Sequence, residues 1–269
     1  MNIDLAEIAH HVADSKTFDF IGGISIKLPT QYGITKFVII ELIVAVIMIL
    51  LFMTLAAKIR GGKPVKGRFW NFLEFFLLYI RDEVVRPAIG HKEVADRYLP
   101  YIWTLFFFVL GCNLMGLIPF MGSPTGSLSL TVVFTVTTLG IGVCSGMKKY
   151  GVAGFWLGQI PKMDLSPALA VVIKPMLFVI EVFGMLIKHG VLAIRLLANM
   201  FAGHMVIAVV MAFISATVVY SLWVWVPATI GSLGFCIFMN MLELLVALIQ
   251  AYIISFLSAL YIGMAIHQH

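Results

Sequence analysis

Charged residues are scarce in this chain: only 12% of its 269 residues are Asp, Glu, Lys or Arg, whereas 61% are hydrophobic. Soluble domains carry about a quarter charged residues, so a single soluble core is excluded. Long apolar runs dominate instead, and about 20 apolar residues suffice to cross a hydrocarbon layer roughly 30 Å thick. The composition therefore places the chain among multi-spanning membrane proteins.

Cysteine is also scarce. Cys112, Cys144 and Cys236 lie in or beside apolar segments, without the spacing of metal ligands or paired thiols. Buried small side chains are the simplest interpretation, so we expect no metal site and no cofactor. The net charge of +5 does not indicate a nucleic-acid partner, because membrane orientation explains the positions of the basic residues better.

The apolar runs predict an all-α membrane protein with about five membrane-embedded helices, the last two long and tilted. An extracytoplasmic segment at 1–36 is expected to precede a single membrane domain at 37–269. Within that domain, 37–57 is the first predicted span and 99–147 a helical hairpin. The segment 168–264 is predicted as a tilted helix pair, because its first helix alone would be about 80 Å long.

A separate amphipathic helix is predicted at 69–89, lying along the membrane interface rather than crossing it. Aromatic and aliphatic residues occupy one side of this segment, and charged residues lie elsewhere on it. The charged residues are Glu74, Arg81, Asp82 and Arg86.

The distribution of lysine and arginine predicts the orientation. Five basic residues lie in the loop 58–68 and three in the connector 148–162, whereas 120–127 and 220–227 contain none. Because cytoplasmic loops are enriched in basic residues, we expect the N-terminus outside and the C-terminus in the cytoplasm.

Four charged residues recur at intervals of seven in the fourth apolar segment. They are Lys174, Glu181, Lys188 and Arg195. Seven residues are nearly two helical turns, so these side chains form one slowly drifting stripe, too widely spaced for direct ion pairs with one another. Each charge within a membrane costs at least about 2.5–3.5 kcal/mol. The stripe either pairs with other helices or lines a water-filled path.

Arg195 is isolated in its half of the chain. No lysine or arginine follows it, and Glu243 is the only acid among the remaining 74 residues. An arginine stays protonated at any accessible pH, so a permanent positive charge lies in an apolar region. A carboxylate on another chain is an attractive partner.

Polar residues in the last segment are predicted to share a face. Asn240, Glu243 and Gln250 fall on one side of a helix together with Ala247. A structural role in interhelical hydrogen bonding explains Asn240 and Gln250 as well as a functional role does. The carboxyl group of Glu243, in mid-segment, instead indicates function. His204 is either a structural histidine or the partner of Glu243 in a proton relay. A self-contained transporter and a non-conducting scaffold are the rival interpretations of the whole chain.

Three stretches resemble signature segments of the a subunit of F-type ATP synthases. They are RLLANMFAGHM at 195–205, LELLVALIQAYI at 242–253 and NLMGLIPF at 113–120. The resemblance extends over nearly the whole chain. It implies a non-catalytic stator subunit that provides two half-channels to and from carboxylates on a ring of c subunits. The implied partners are the c-ring, the peripheral stalk b subunits, the rest of the ATP synthase and the lipid bilayer.

The resemblance also implies a role for each site residue. Arg195 would face the ring carboxylate and separate the half-channels, with Gln250 opposite it. Asn199, Ala202 and Gly203 would lie near the rotor. The outer half-channel would contain His204 and Glu243, and the cytoplasmic one Glu181, with Asn240 also on the proton path.

Many bacterial relatives carry glutamate where His204 stands and histidine where Glu243 stands, so this chain has the pair reversed. Mitochondrial relatives share the reversed arrangement. We nevertheless expect a bacterial inner membrane because of the long N-terminal segment, with the mitochondrial inner membrane as the alternative.

Overall fold

The computed structural model describes most of the predicted membrane domain. The described residues are 17–20, 24–27, 35–60, 67–118, 124–158 and 222–266, with scattered positions between 173 and 217 that are all helical. Four described helices are long and apolar enough to cross a membrane. The predicted all-α membrane fold is thereby confirmed. The predicted helix that begins at 168 falls largely outside the described residues.

A small β-hairpin precedes the first helix. Strand β1, Thr17–Phe20, pairs antiparallel with β2, Ile24–Lys27, so that Thr17 lies opposite Lys27. No strand was predicted in this segment. A two-stranded hairpin has only marginal stability by itself, and its four-residue strands are too short to produce a strong sequence pattern.

Helix α1 spans Lys36–Ile59, close to the predicted 37–57. Half of its apolar side chains are exposed and few are fully buried, as expected of a helix that faces lipid on several sides. Lys58 lies in the last turn, where a positive charge interacts favourably with the helix dipole.

The predicted interfacial helix is observed as one continuous helical stretch. Helix α2, Arg68–Tyr79, passes into a π-helix at Ile80–Val85 and then into α3, Arg86–Ile89. Its buried side is apolar, with Leu73, Ile80, Val84, Val85 and Ile89. Large apolar residues are exposed on other sides, including Phe69, Phe72 and Phe75.

Helix α4 spans Lys92–Gly116 and contains Pro100. It begins seven residues earlier than the predicted start at 99, because hydropathy detects only the apolar part of a helix. A short 3₁₀ turn at Pro124–Gly126 separates α4 from α5, which spans Leu128–Gly158. Gly151 breaks α5 with φ 77° and ψ 166°, a conformation that favours glycine.

The last helix, α6, spans Leu222–Ile266 and has 45 residues. At 1.5 Å per residue it is about 67 Å long, roughly twice the thickness of the hydrocarbon layer. A helix of this length cannot stand upright within the membrane, which agrees with the predicted tilt.

The chain forms two compact units. The first unit consists of Met1–Ala57, Phe107–Leu130 and Arg195–Ala251. Within it, the rings of Phe52 and Phe107 meet edge to face at 5.2 Å. Gly111 packs so closely on Val44 that a Cβ there would overlap the valine side chain. Helices α1 and α4 are therefore in close contact in this unit.

The second unit consists of Lys58–Phe106, Thr131–Ile194 and Tyr252–His269. Its helices are joined by polar side chains. The Trp103 indole donates to the Leu77 carbonyl at 3.0 Å. The hydroxyls of Tyr101 and Thr138 lie 2.9 Å apart, and those of Thr138 and Ser258 lie 3.3 Å apart.

Candidate functional site

The described part of the candidate site is a narrow buried face of α6 in the first unit. Glu243, Ala247 and Gln250 are buried there, with exposures of 9%, 2% and 2%. Their i, i+4 and i+7 spacing places them on one side of the helix, as predicted. Asn240, about one turn earlier on the same side of the helix, is exposed, so the buried part of this side begins at Glu243.

Two buried oxygens on this face lack hydrogen-bond partners among the described residues: Oε1 of Glu243 and Oε1 of Gln250. Leaving a buried polar atom unsatisfied costs about 1–3 kcal/mol, and more for a charged group. Such a cost is tolerated where the group has another use, such as exchanging a proton or holding water.

Gly203 contacts Glu243 directly. This glycine is buried, and a Cβ at its position would overlap the Glu243 carboxyl group. Only a residue without a side chain allows the carboxyl group to approach the backbone so closely. The predicted position of Gly203 near the rotor stays a prediction, and within this chain the residue makes room for Glu243.

Asn113 joins α4 to the same face of α6. Its Nδ2 donates to the Ala247 carbonyl at 3.3 Å, and its Oδ1 accepts a hydrogen bond from Thr125 Oγ1 at 2.6 Å. Asn113 and Thr125 are both buried. In the sequence, Asn113 is the first residue of NLMGLIPF and was not predicted as a site residue. The signal that could have singled it out is an amide side chain in the middle of an apolar span.

Several predicted site residues lie outside the described residues, so the structure does not bring them together or separate them. They are Glu181, Arg195, Asn199, Ala202 and His204. The described positions of the same segment include exposed apolar residues: Met176, Ile180, Phe183, Ile187 and Ile194. On a helical wheel each of these lies about 100–160° from the residue of the charged stripe that is nearest to it in the sequence. An exposed apolar side separate from the charges agrees with a stripe directed away from lipid.

A second polar cluster links the end of the helical stretch 68–89 to the start of α4, in the second unit. Arg81 and Arg86 contact Asp82 at 2.9 and 2.7 Å, and Arg86 also contacts Asp96 at 3.1 Å. The hydrogen bond from Arg81 holds the pKa of Asp82 below its usual value. Hydrogen bonds to Asp82 and Asp96 raise the pKa values of Arg81 and Arg86, respectively. All four charges are thus paired within the cluster.

The end of α6 is anchored in the second unit as well. Lys149 Nζ and Tyr150 Oη both donate to the Ile266 carbonyl, at 2.8 and 2.7 Å. The last carbonyls of a helix lack partners within the helix, and a nearby lysine also interacts favourably with the helix dipole. These two bonds therefore act as a C-terminal cap supplied by α5.

Comparison with known proteins identifies the family of this chain. The family model described as "ATP synthase A chain" matches residues 38–263. The chain belongs to this family. ATP synthase subunit a 2 of Chlorobaculum tepidum is 35% identical over 96% of this chain and 72% of its own length. ATP synthase subunit a of Chloroherpeton thalassium is 33% identical over 96% of this chain and 75% of its own.

The resemblance inferred from the three signature segments is therefore confirmed. ATP synthase subunit a of an Anaeromyxobacter species is also similar, with 35% identity over 87% of this chain and 55% of its own length. These relatives are bacterial. Together with the apolar helices, they identify this member of the ATP synthase A chain family as a bacterial membrane protein.

Proposed function

We propose that this chain is the proton-translocating stator subunit of an ATP synthase and guides protons to and from carboxylates on a ring of c subunits. The observation that carries the proposal is Glu243, a buried carboxyl group within a long apolar helix whose Oε1 has no hydrogen-bond partner among the described residues. A membrane carboxyl group that is not occupied in structural pairing is suited to exchanging a proton. ATP chemistry belongs to other subunits in this proposal.

Protons would enter from outside through a half-channel that contains Glu243 and His204. The contact between Gly203 and Glu243 supports this pairing, because His204 is the next residue in the chain. Histidine changes its charge near neutral pH, so it can exchange protons with a carboxyl group beside it. Gln250, two turns further along the buried face, would extend the polar surface toward the ring, and Asn240 would lie nearer the entrance.

Arg195 would control the transfer between the half-channels. A neutral, protonated ring carboxyl can face lipid, whereas a charged one cannot. When the carboxyl group approaches Arg195, the permanent positive charge favours its ionised form and releases the proton toward Glu181 and the cytoplasm. Each charge that crosses is worth about 2.3 kcal/mol per 100 mV of membrane potential, and this work would drive rotation. Asn199 and Ala202 would line the surface next to the ring.

The orientation follows from the same proposal. With the basic loop 58–68 in the cytoplasm, the N-terminus lies outside and the C-terminus inside. The chain would assemble with the c-ring, the peripheral stalk b subunits and the remaining ATP synthase subunits in a bacterial inner membrane.

Glu243→Gln tests the proposal in the assembled ATP synthase. The change keeps the size of the side chain but removes its exchangeable proton, so ATP-driven proton pumping into inverted membrane vesicles should fall at least about tenfold. Pumping is measured by quenching of a pH-sensitive dye, and assembly by the ATPase activity bound to the membranes.

The matched control is Glu74→Gln, which removes an exposed carboxyl group from the interfacial helix and should leave pumping unchanged. Wild-type pumping in a fully assembled Glu243→Gln complex would contradict the proposed function.

A further inference from the structure

We infer that Asn113 and Thr125 act together as a positioning pair, which holds α6 at Ala247 and thereby orients Glu243 and Gln250. The inference deepens the proposed function and rests on it for the role of those two side chains. Neither Asn113 nor Thr125 is assigned to the proton path itself.

Two hydrogen bonds share the Asn113 amide group. Thr125 Oγ1 donates to Asn113 Oδ1 at 2.6 Å, and Asn113 Nδ2 donates to the Ala247 carbonyl at 3.3 Å. Exposure is 1% for Asn113 and 0% for Thr125, so bulk water does not replace either partner. An amide side chain whose oxygen and nitrogen both have partners is fixed in one orientation. The hydroxyl of Thr125 therefore directs the amide nitrogen toward α6.

The hydrogen bond reaches α6 at Ala247, between Glu243 and Gln250. Ala247 lies four residues after Glu243 and three before Gln250, so all three share one face. Around that face, Leu244, Leu245, Leu248 and Ile249 are exposed and do not determine how the helix is rotated. A directional hydrogen bond to the Ala247 carbonyl does so, because each residue of an α-helix turns by about 100° and a small rotation redirects both polar side chains.

The same hydrogen bonds connect α6 to the turn after α4. Thr125 belongs to the 3₁₀ turn Pro124–Gly126, and Asn113 to the last turns of α4. The same two side chains thus link three separate parts of the first unit. Because the two hydrogen bonds share the Asn113 amide, loss of the Thr125 hydroxyl should weaken the contact with Ala247 although Ala247 itself is unchanged.

The test compares Thr125→Val, which removes the hydroxyl but keeps the shape, with Thr125→Ser, which keeps the hydroxyl. Passive proton conduction is measured in membranes stripped of the catalytic sector, and is expressed per assembled complex. We expect Thr125→Val to lose about fivefold, the equivalent of one net hydrogen bond, and Thr125→Ser to retain most of the conduction. Thr137→Val is the matched control, because Thr137 is exposed and donates only within its own helix.

Asn113→Leu completes the test as a double-mutant cycle. If the two residues form one unit, adding Thr125→Val to Asn113→Leu causes no further loss. Additive losses would overturn the pair, as would equal conduction by the Val and Ser variants at position 125. If Asn113→Leu prevents assembly, the comparison of Thr125→Val with Thr125→Ser still tests the positioning pair.

A second measurement does not depend on proton transport. In a background without the three native cysteines, Gln250→Cys is labelled with a water-soluble maleimide, and Thr125→Val should change the labelling rate about threefold or more. An unchanged rate would overturn the inference. If Thr125→Val alters labelling while Glu243→Gln pumps normally, the positioning pair stands and only the proposed function fails.

Discussion

The two units of the molecule treat their buried and charged groups differently. In the second unit, Arg81, Asp82, Arg86 and Asp96 form ion pairs of 2.7–3.1 Å. In the first unit, the buried Oε1 atoms of Glu243 and Gln250 have no partner among the described residues. The first pattern holds helices together, whereas the second leaves acceptor sites open. The comparison indicates that structure and proton transfer are served by different groups.

Energetics support this division. An ion pair that is open to water is screened and contributes little to stability, so the cluster of Arg81, Asp82, Arg86 and Asp96 has a modest and local effect. A buried carboxyl group without a fixed partner destabilises the fold. Its presence in the first unit is understandable if the site must accept and release a proton. Variants of the two units should therefore differ in which property they change.

The largest effect is expected from Arg195→Ala. No other permanent positive charge follows Arg195 in the sequence. Its loss should abolish ATP synthesis and ATP-driven pumping while assembly is preserved. Arg195→Lys should also fail largely, because lysine can lose its proton in a low dielectric and lacks the planar guanidinium. Both activities are measured in inverted vesicles, and near-normal coupled synthesis by either variant would refute the role of Arg195.

A smaller loss is expected from exchanging the predicted relay pair. His204→Glu or Glu243→His alone would place two like groups together, which shifts their pKa values apart and impairs proton entry. The double variant His204→Glu, Glu243→His contains one acid and one base again and should recover part of the pumping. A double-mutant cycle on pumping rates measures this coupling. A double variant worse than both single variants would show that the residues act separately.

Gly203→Ala should have a moderate effect. The added methyl group would overlap the Glu243 carboxyl group, and overpacking of this kind typically costs about 1–3 kcal/mol. Displacing the carboxyl group should slow passive proton conduction about tenfold. Gly231→Ala is the matched control in the same unit, because no described residue lies within 4 Å of the added atom. Equal conduction by the two variants would show that the close contact at Gly203 has no functional consequence.

Hydropathy predicted where the helices lie in the sequence, but it did not predict the contacts between them. The bounds of α1 and the C-terminal end of α6 are close to those predicted, because a membrane requires long apolar runs. The start of α4 at Lys92 was missed because the helix continues through polar residues beyond its apolar part. The break at Gly151 was missed because a single glycine in a helical pattern is usually tolerated.

The candidate site also contains one feature that could be predicted from the sequence and one that could not. The burial of Glu243 could be predicted, because an isolated carboxyl group within an apolar segment is conspicuous in the sequence. The link between Asn113, Thr125 and Ala247 could not be predicted. It joins residues 12 and 134 positions apart, and no local periodicity reports a hydrogen bond between separate segments.

The smallest effect is expected in the second unit, from Asp82→Asn. The hydrogen bond from Arg81 lowers the pKa of Asp82 in the folded protein below its ordinary value of 3.8. The ionised carboxylate therefore stabilises the fold at pH values above 3.8, and this contribution is lost as the pH falls through the lower folded-state pKa.

Asp82→Asn should slightly lower the melting temperature of the solubilised complex near neutral pH, and this difference from wild type should disappear in strong acid. Proton conduction should stay at the wild-type level. Glu74→Gln, outside the cluster, is the control for removal of one negative charge from the same helix. A marked loss of conduction in Asp82→Asn would break the division between the units, because a paired surface carboxylate would then take part in proton transfer.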